Sequence, residues 1–343
     1  MLRRSLAVLS VAVALYALRG ELLRGGVYFA LLVAHYCLAP VGSGHVTSWQ
    51  YEAAERLVRP GLSQVRDRRG IHHLMTIQAV VSRVEHAVLG TCQVTRAQDG
   101  SWWVVPPGVR SPESGGPVVI YLHGGGLIGG TALGGGLYLE LLAVSSNSSI
   151  LSFEYGLAPT TTPAAAAQQV ADVVAAQIAR GSRVAVAGDS GGGQLALLVA
   201  QHVKGQIVAV AAMSPITVVT TGNEEPGLVS HQECEHTDVV LNMDQMREIV
   251  RLQGCSSAKD PSCSPLYGRW TDVAPLMITA GSREILRDHA KLAGARARDA
   301  GVDVVVHIEP GVGHCVGSLV ALGAPEAALA VEGISVFLRS HLS

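Results

Sequence analysis

Charge is scarce in this chain. Only 15% of its 343 residues are Asp, Glu, Lys or Arg, and 25 basic residues nearly balance 27 acidic ones for a formal net charge of −2. No long basic run follows residue 4, so a nucleic-acid partner has no electrostatic footprint. Aromatic residues make up just 4%. A core must therefore be aliphatic, built from Ala, Val and Leu with close packing at glycine. The six cysteines include no C-x-x-C pair, which excludes a zinc ribbon and a thioredoxin-type redox motif. Cys255 and Cys263 bracket the short polar loop CSSAKDPSC; they pair in an oxidising compartment and stay reduced in the cytosol. The segment His231-Gln-Glu-Cys234-Glu-His236 gathers metal-ligating residue types at a spacing that fits no standard site, so no metal is expected.

What the chain has instead is apolarity, with 48% hydrophobic residues and a mean hydropathy of +0.33. That balance calls for a search for membrane segments. Two apolar stretches, 5–18 and 25–41, follow Arg3 and Arg4 and are separated by Arg19, Glu21 and Arg24. The first resembles a signal-sequence core behind a basic start, but the bulk and charge at Ala17-Leu18-Arg19-Gly20 disfavour cleavage. Residues 1–44 are expected to be a hydrophobic anchor or signal-anchor that brings the protein to a membrane. The alternatives are a helical hairpin with both ends cytosolic, or a buried cap helix over 25–41. The anchored reading places the catalytic domain in the lumen of the endoplasmic reticulum, with secretion as the alternative. The Asn147-Ser148-Ser149 sequon is usable only in such a lumenal domain.

From residue 96 short apolar runs alternate with helical patterns. Strands are expected over 102–106, 118–122, 150–155, 184–187, 207–213, 276–280 and 302–308, and helices over 164–180, 194–203, 285–300 and 323–340. Alternation of this kind means a mostly parallel sheet covered on both faces. Residues 45–95 read as a helical cap segment. Residues 96–343 read as the α/β domain, with a cap insertion at about 215–270 that breaks the rhythm and carries one helical stretch near 243–252.

The chemistry gathers at strand ends. Gly188-Asp189-Ser190-Gly191-Gly192 matches G-x-S-x-G between an apolar run and a helical one, the setting of a nucleophile elbow that exposes the Ser190 hydroxyl. His123-Gly124-Gly125-Gly126 follows the strand at 118–122 and has the form of an oxyanion loop, where glycine lets backbone N–H groups approach a substrate oxygen. The donors expected are the N–H groups of Gly124, Gly125 and Gly191, and His123 is expected to order the loop. No Gly-Lys-Ser/Thr follows, which excludes a phosphate-binding P-loop. A serine hydroxyl needs a base, and in folds of this kind the order is Ser, acid, His. Gly281-Ser282-Arg283-Glu284 and Gly313-His314 each follow a strand, so His314 is the expected base and Glu284 the expected acid. Asp288 is the rival acid, one helical turn further on.

Together, HGGG, GDSGG, an acid about thirty residues before Gly313-His314, and Tyr155-Gly-Leu-Ala-Pro159 resemble the hormone-sensitive-lipase-like family of α/β hydrolases, over roughly residues 100–320. The resemblance implies an α/β-hydrolase fold with a helical cap and Ser190, Glu284 and His314 as a triad. It also implies that Tyr155 and Pro159 support the site. This chain departs from the family pattern at Gly191, where Ala is usual, at Glu284, where Asp is usual, and at Gly156, where Arg is usual. With the apolar N-terminus, the chain looks most like the membrane-bound arylacetamide deacetylases and steryl-acetyl hydrolases. A small-molecule ester, lipophilic and acetylated, is the implied substrate, hydrolysed through an acyl-enzyme without cofactor or metal. The alternatives are a non-catalytic ligand-binding protein on the same fold, and an acyltransferase or biosynthetic hydrolase using the same acyl-enzyme.

Overall fold

The computed structural model describes residues 90–343 except 222–224 and 226, together with short pieces between residues 47 and 86. The expected anchor over 1–44 lies outside the described residues. Among those described, no helix is long and apolar enough to cross a membrane.

The core is an eight-stranded sheet in the order β1-β2-β4-β3-β5-β6-β7-β8. Its strands are β1 (Gln93–Arg96), β2 (Trp102–Val105), β3 (Val118–Leu122), β4 (Ser149–Ser152), β5 (Val184–Asp189), β6 (Ala209–Met213), β7 (Leu276–Gly281) and β8 (Val304–Glu309). β1 and β2 pair antiparallel, as do β2 and β4, and every other pairing is parallel. The parallel centre explains the sequence pattern. Both faces of β3 and β6 are covered, so VVIYL and AVAAM are buried at every position and read as continuous apolar runs.

Side chains leave successive strand positions in opposite directions. Val118, Ile120, Leu122, Val184, Val186, Val210 and Ile278 pack on one face against α2 (Pro163–Ala179), α3 (Gly191–His202) and α5 (Arg287–Asp299). Val119, Tyr121, Ala185, Ala187, Ala211 and Met213 pack on the other against α1 (Gly136–Ser146) and α6 (Pro325–Leu342). Small side chains on α2 and α3 let these helices sit close to the sheet, which is how so few aromatics suffice.

Three local expectations change. β1 begins inside the segment read as cap and crosses its end at residue 95; its QVTR sequence is mostly exposed and short, so no alternation marks it. The strand expected over 150–155 is Ser149–Ser152. Helix α1 was not anticipated. It buries Tyr138, Leu139, Glu140, Leu142, Ala143 and Ser146, with too little polar contrast around its circumference for a 3.6-residue period to emerge.

The segment between β6 and β7 carries α4 (Met243–Gln253). Asn242 and Gln245 form a reciprocal capping box at its start, and Gly254 ends it in the left-handed region. Met243, Met246 and Ile249 face inward with Ile128, Ile216, Ile285 and Leu286, while Asp244–Arg247 and Glu248–Arg251 pair along the outer face. Cys255 and Cys263 are joined by a disulfide in the loop that follows. The described parts of 50–56 and 68–71 are helical.

Candidate active site

β5 ends at Asp189 and α3 begins at Gly191, leaving Ser190 alone on the turn with φ 53 and ψ −120. That left-handed φ is costly for a side-chain-bearing residue and persists only where the surroundings hold it. Here the Ser190 N–H donates to the Met213 carbonyl at 2.8 Å, pinning the turn to β6. The flanking glycines are required by space: a Cβ on Gly192 would stand 2.0 Å from the Leu122 carbonyl oxygen, and one on Gly188 2.4 Å from that of Gly192. The elbow thus lets β5, α3 and the end of β3 meet at backbone distance.

The base and the acid arrive from the next strands. His314 follows β8, and its Nε2 lies 3.0 Å from Ser190 Oγ. Glu284 follows β7, and its Oε2 lies 3.5 Å from His314 Nδ1. Glu284 is fully buried, with Oε2 accepting a 2.8 Å hydrogen bond from Ser214 Oγ. Ser214 Oγ in turn accepts the Cys315 N–H at 3.1 Å, so one hydroxyl ties the acid to the backbone just past the base. Burial alone pulls the His314 imidazole down; Cys315 and Glu284 beside it push it up, and the upward direction wins. Burial pushes the Cys315 thiol up to about 11.

Asp288, the rival acid, turns elsewhere. It accepts the Ser230 N–H at 2.7 Å and pairs with Arg287 at 3.1 Å and Lys291 at 3.0 Å. Its work is to dock the cap insertion on α5.

The loop after β3 lies against the elbow. Gly125 has φ +117, and a Cβ there would meet the Gly129 carbonyl oxygen at 2.3 Å. A Cβ on Gly191 would stand 2.6 Å from the Gly126 nitrogen, so the amide of Gly126 borders the elbow. Of the three donors expected, Gly124 is differently placed: its amide faces the half-buried Asp189 carboxylate. Burial raises the Asp189 pKa, against the Tyr121 hydroxyl, His123, His314 and that amide. Asp189 therefore fixes the start of the loop, and Gly126, which sequence reading did not name as a donor, lies beside Gly191 with Gly125 preceding it. His123 stacks on Tyr155 at 4.3 Å, and the Tyr155 hydroxyl donates to the His123 carbonyl at 2.5 Å. The Ala158 N–H donates to the Leu127 carbonyl at 2.7 Å. The Tyr155–Pro159 stretch thus grips the oxyanion loop at both ends. From above, Ile249 packs on Gly126 and Gln253 donates to the Gly126 carbonyl at 2.9 Å.

The residues of the His231-Cys234-His236 segment diverge. His231 bonds His289, with Nε2 to Nε2 at 2.9 Å; Cys234 lies against the Ser282 carbonyl and Arg287; His236 is exposed. Among the described residues no group of three potential ligands is placed to hold a metal. Sequence reading missed Ser214 and the function of Asp189. Both sit at the carboxyl ends of parallel strands, the location that marks functional residues in such sheets, and that position was their only signal.

A family model described as the α/β-hydrolase fold matches residues 119–318. Curated relatives include a carboxylesterase/phospholipase, LipF, of Mycobacterium tuberculosis, 28% identical over 246 residues that cover 68% of this chain and 64% of that protein. An acetyl-hydrolase of Streptomyces hygroscopicus is 25% identical over 236 residues, covering 68% of this chain and 78% of its own. This chain therefore spans less than two thirds of the LipF length. Among solved structures, an esterase of the bacterial hormone-sensitive lipase family aligns with a TM-score of 0.76 at 24% identity, over 86% of this chain and 99% of that one. An esterase from Pseudomonas putida aligns at 0.74 and 20% identity, over 88% and 99%. The elbow, the loop facing it and the strand order carry the same conclusion as the matched model: the chain belongs to the α/β-hydrolase fold family.

Proposed function

We propose that the protein is a serine carboxylic-ester hydrolase of the hormone-sensitive-lipase type, with Ser190, His314 and Glu284 as its triad. The observation that carries this reading is the 3.0 Å contact between Ser190 Oγ and His314 Nε2, with the Glu284 carboxylate behind the imidazole. Ser190 Oγ bonds to the ester carbonyl carbon while His314 Nε2 takes the hydroxyl proton, and the carbonyl π pair moves onto oxygen. The N–H groups of Gly125, Gly126 and Gly191 receive that oxyanion. Collapse breaks the bond to the alcohol oxygen, which leaves with the proton from His314. Water then repeats the sequence on the acyl-enzyme and restores Ser190. Glu284 keeps Nδ1 protonated and stabilises the imidazolium.

A lipophilic ester with a short, acetyl-like acyl group is the substrate class we favour. Similarity to an acetyl-hydrolase and to carboxylesterases supports it. A membrane address rests on the apolar sequence of residues 1–44 alone. Ser190→Ala is expected to abolish hydrolysis of p-nitrophenyl acetate and covalent labelling by a fluorophosphonate. A variant that keeps the wild-type rate overturns the reading. Labelling without turnover on a panel of acyl chain lengths and acetylated sterols would instead favour an acyl acceptor other than water.

A further inference from the structure

The triad's acid and base stand on separate loops, and neither loop alone fixes the spacing between them. Arg283 immediately precedes Glu284, and Gly313 immediately precedes His314. A piece of the N-terminal cap, far away in sequence, connects the two. The Gly313 N–H donates to the Tyr51 hydroxyl oxygen at 2.6 Å. The Tyr51 hydroxyl donates to Glu55 Oε1 at 3.2 Å. Arg283 Nη2 donates to Glu55 Oε2 at 3.1 Å, and its Nη1 to the Gly311 carbonyl at 3.1 Å. The Arg283 backbone N–H closes the figure on the Val312 carbonyl at 3.0 Å.

Tyr51 is 1% exposed and Glu55 6%. Tyr51 is packed among Val312, Val316 and Leu319, so its ring cannot swing away from the base loop. One turn of helix places Tyr51 and Glu55 on the same face, which is why both reach the same junction. Ser48 anchors the start of this piece by donating from Oγ to Glu326 Oε2 on α6 at 2.8 Å.

We infer that Tyr51 and Glu55 are positioning residues, which hold the backbone before the acid and the backbone before the base in one hydrogen-bonded ring. The inference rests on the esterase reading above. Catalysis needs the imidazole to face Ser190 and Glu284 at once, and small displacements of reacting groups are expensive in rate. At 3.5 Å the acid–base contact has little slack, so a base loop released from Tyr51 loses rate rather than substrate affinity.

The test measures kcat and KM on p-nitrophenyl acetate, with the rate of fluorophosphonate labelling of Ser190, for the full chain and for Tyr51→Phe, Glu55→Gln and Arg56→Ala. All are assayed well below each variant's own Tm. Tyr51→Phe removes the acceptor for Gly313, and Glu55→Gln keeps the shape but weakens the link to Arg283. Each is expected to lower kcat between about tenfold and a hundredfold, with KM within about twofold and labelling slowed in parallel. Arg56, exposed on the same helix and 3.9 Å from Glu52, serves as the control, and its variant is expected to match wild type. If Tyr51→Phe fails to fold, Glu55→Gln carries the test. Wild-type kcat in the variants, or a raised KM at unchanged kcat, overturns the inference while leaving the esterase reading intact. A wild-type protein inert to both ester and fluorophosphonate overturns the esterase reading and this inference with it.

Discussion

Replacing Glu284 by Gln and, separately, Asp288 by Asn divides the two carboxylates by what they do. In the acylation step proposed above, His314 becomes an imidazolium 3.5 Å from Glu284 Oε2. For unit charges at that distance, an effective dielectric constant of about 20 gives about 5 kcal/mol of attraction. Gln keeps the volume and a hydrogen-bonding oxygen but loses that attraction, and it can hold the imidazole in the wrong tautomer. Glu284→Gln should therefore lower kcat/KM by about 10³- to 10⁴-fold. Asp288→Asn should leave turnover near wild type and cost stability instead. Burial alone would raise the Asp288 carboxyl, but Arg287, Lys291 and the Ser230 amide overcome it and hold the pKa at about 2. A folded pKa below the unfolded value contributes stability that is fully present above about pH 4 and is lost as pH falls toward 2. The contribution is about 2 kcal/mol at pH 7, given that Lys291 is half-exposed and its pairing screened. Steady-state kinetics with urea unfolding at pH 7 and pH 3 checks both halves. An Asp288→Asn variant as inactive as Glu284→Gln, or a Glu284→Gln variant within about tenfold of wild type, would refute the assignment of the acid.

Three further outcomes follow from the geometry. Gly125→Ala places a methyl group 2.3 Å from the Gly129 carbonyl oxygen at φ +117; kcat should fall about 10²- to 10³-fold, as when an oxyanion donor is lost, and an Ala variant with native kcat would show that Gly125 is not a donor. Reducing Cys255–Cys263, which closes an eight-residue separation, should cost about 2.5 kcal/mol in denaturant unfolding by the loop-entropy relation; an unchanged midpoint would place the stabilisation of the cap elsewhere. His231 and His289 are both held below the ordinary imidazole pKa, by burial first, with Asp288 opposing in each and each ring facing the other. Both are neutral in the fold, so stability should be full above about pH 6.5 and fall below it by about 1.4 kcal/mol per pH unit for each excluded proton. His231→Gln should make that acid-side fall shallower, and an identical pH dependence would show that the pair does not control it.

How much of this was legible in the sequence depends on how local each constraint is. The elbow was readable because its steric demands fall within five residues: two glycines, a turn, and a helix that starts at once. The parallel strands were readable because burial on both faces leaves no polar positions in β3 or β6. Helix α1 was hidden by the same burial, which removes the amphipathic contrast that marks a helix. The edge strand β1 was hidden for the opposite reason, since an exposed four-residue strand carries no apolar pattern.

The site itself divides along the same line. Ser190, Glu284 and His314, the triad we propose, each follow a strand in a known order, and Gly125 lies where glycines cluster so that backbone can approach. Local pattern does not separate Gly124 from Gly126 as the amide that borders the elbow. That distinction depends on Asp189, whose carboxylate faces the first amide across the elbow. Nor could it find the groups that make the triad geometry hold. Ser214 reaches Glu284 across 70 residues of sequence, and Tyr51 reaches Gly313 across 262. Both contacts lie at or beside residues of the proposed triad. A Ser-Glu-His order specifies which atoms react, whereas the distances between them are set by hydroxyls and backbone amides supplied from other strands and from the cap. On the inference above, the segment around Tyr51 and Glu55 takes part in setting the geometry of the proposed triad. Mutations at Tyr51 should consequently resemble mutations of the base loop, with rate lost before affinity, although no pattern around residue 51 identifies it as more than a buried tyrosine.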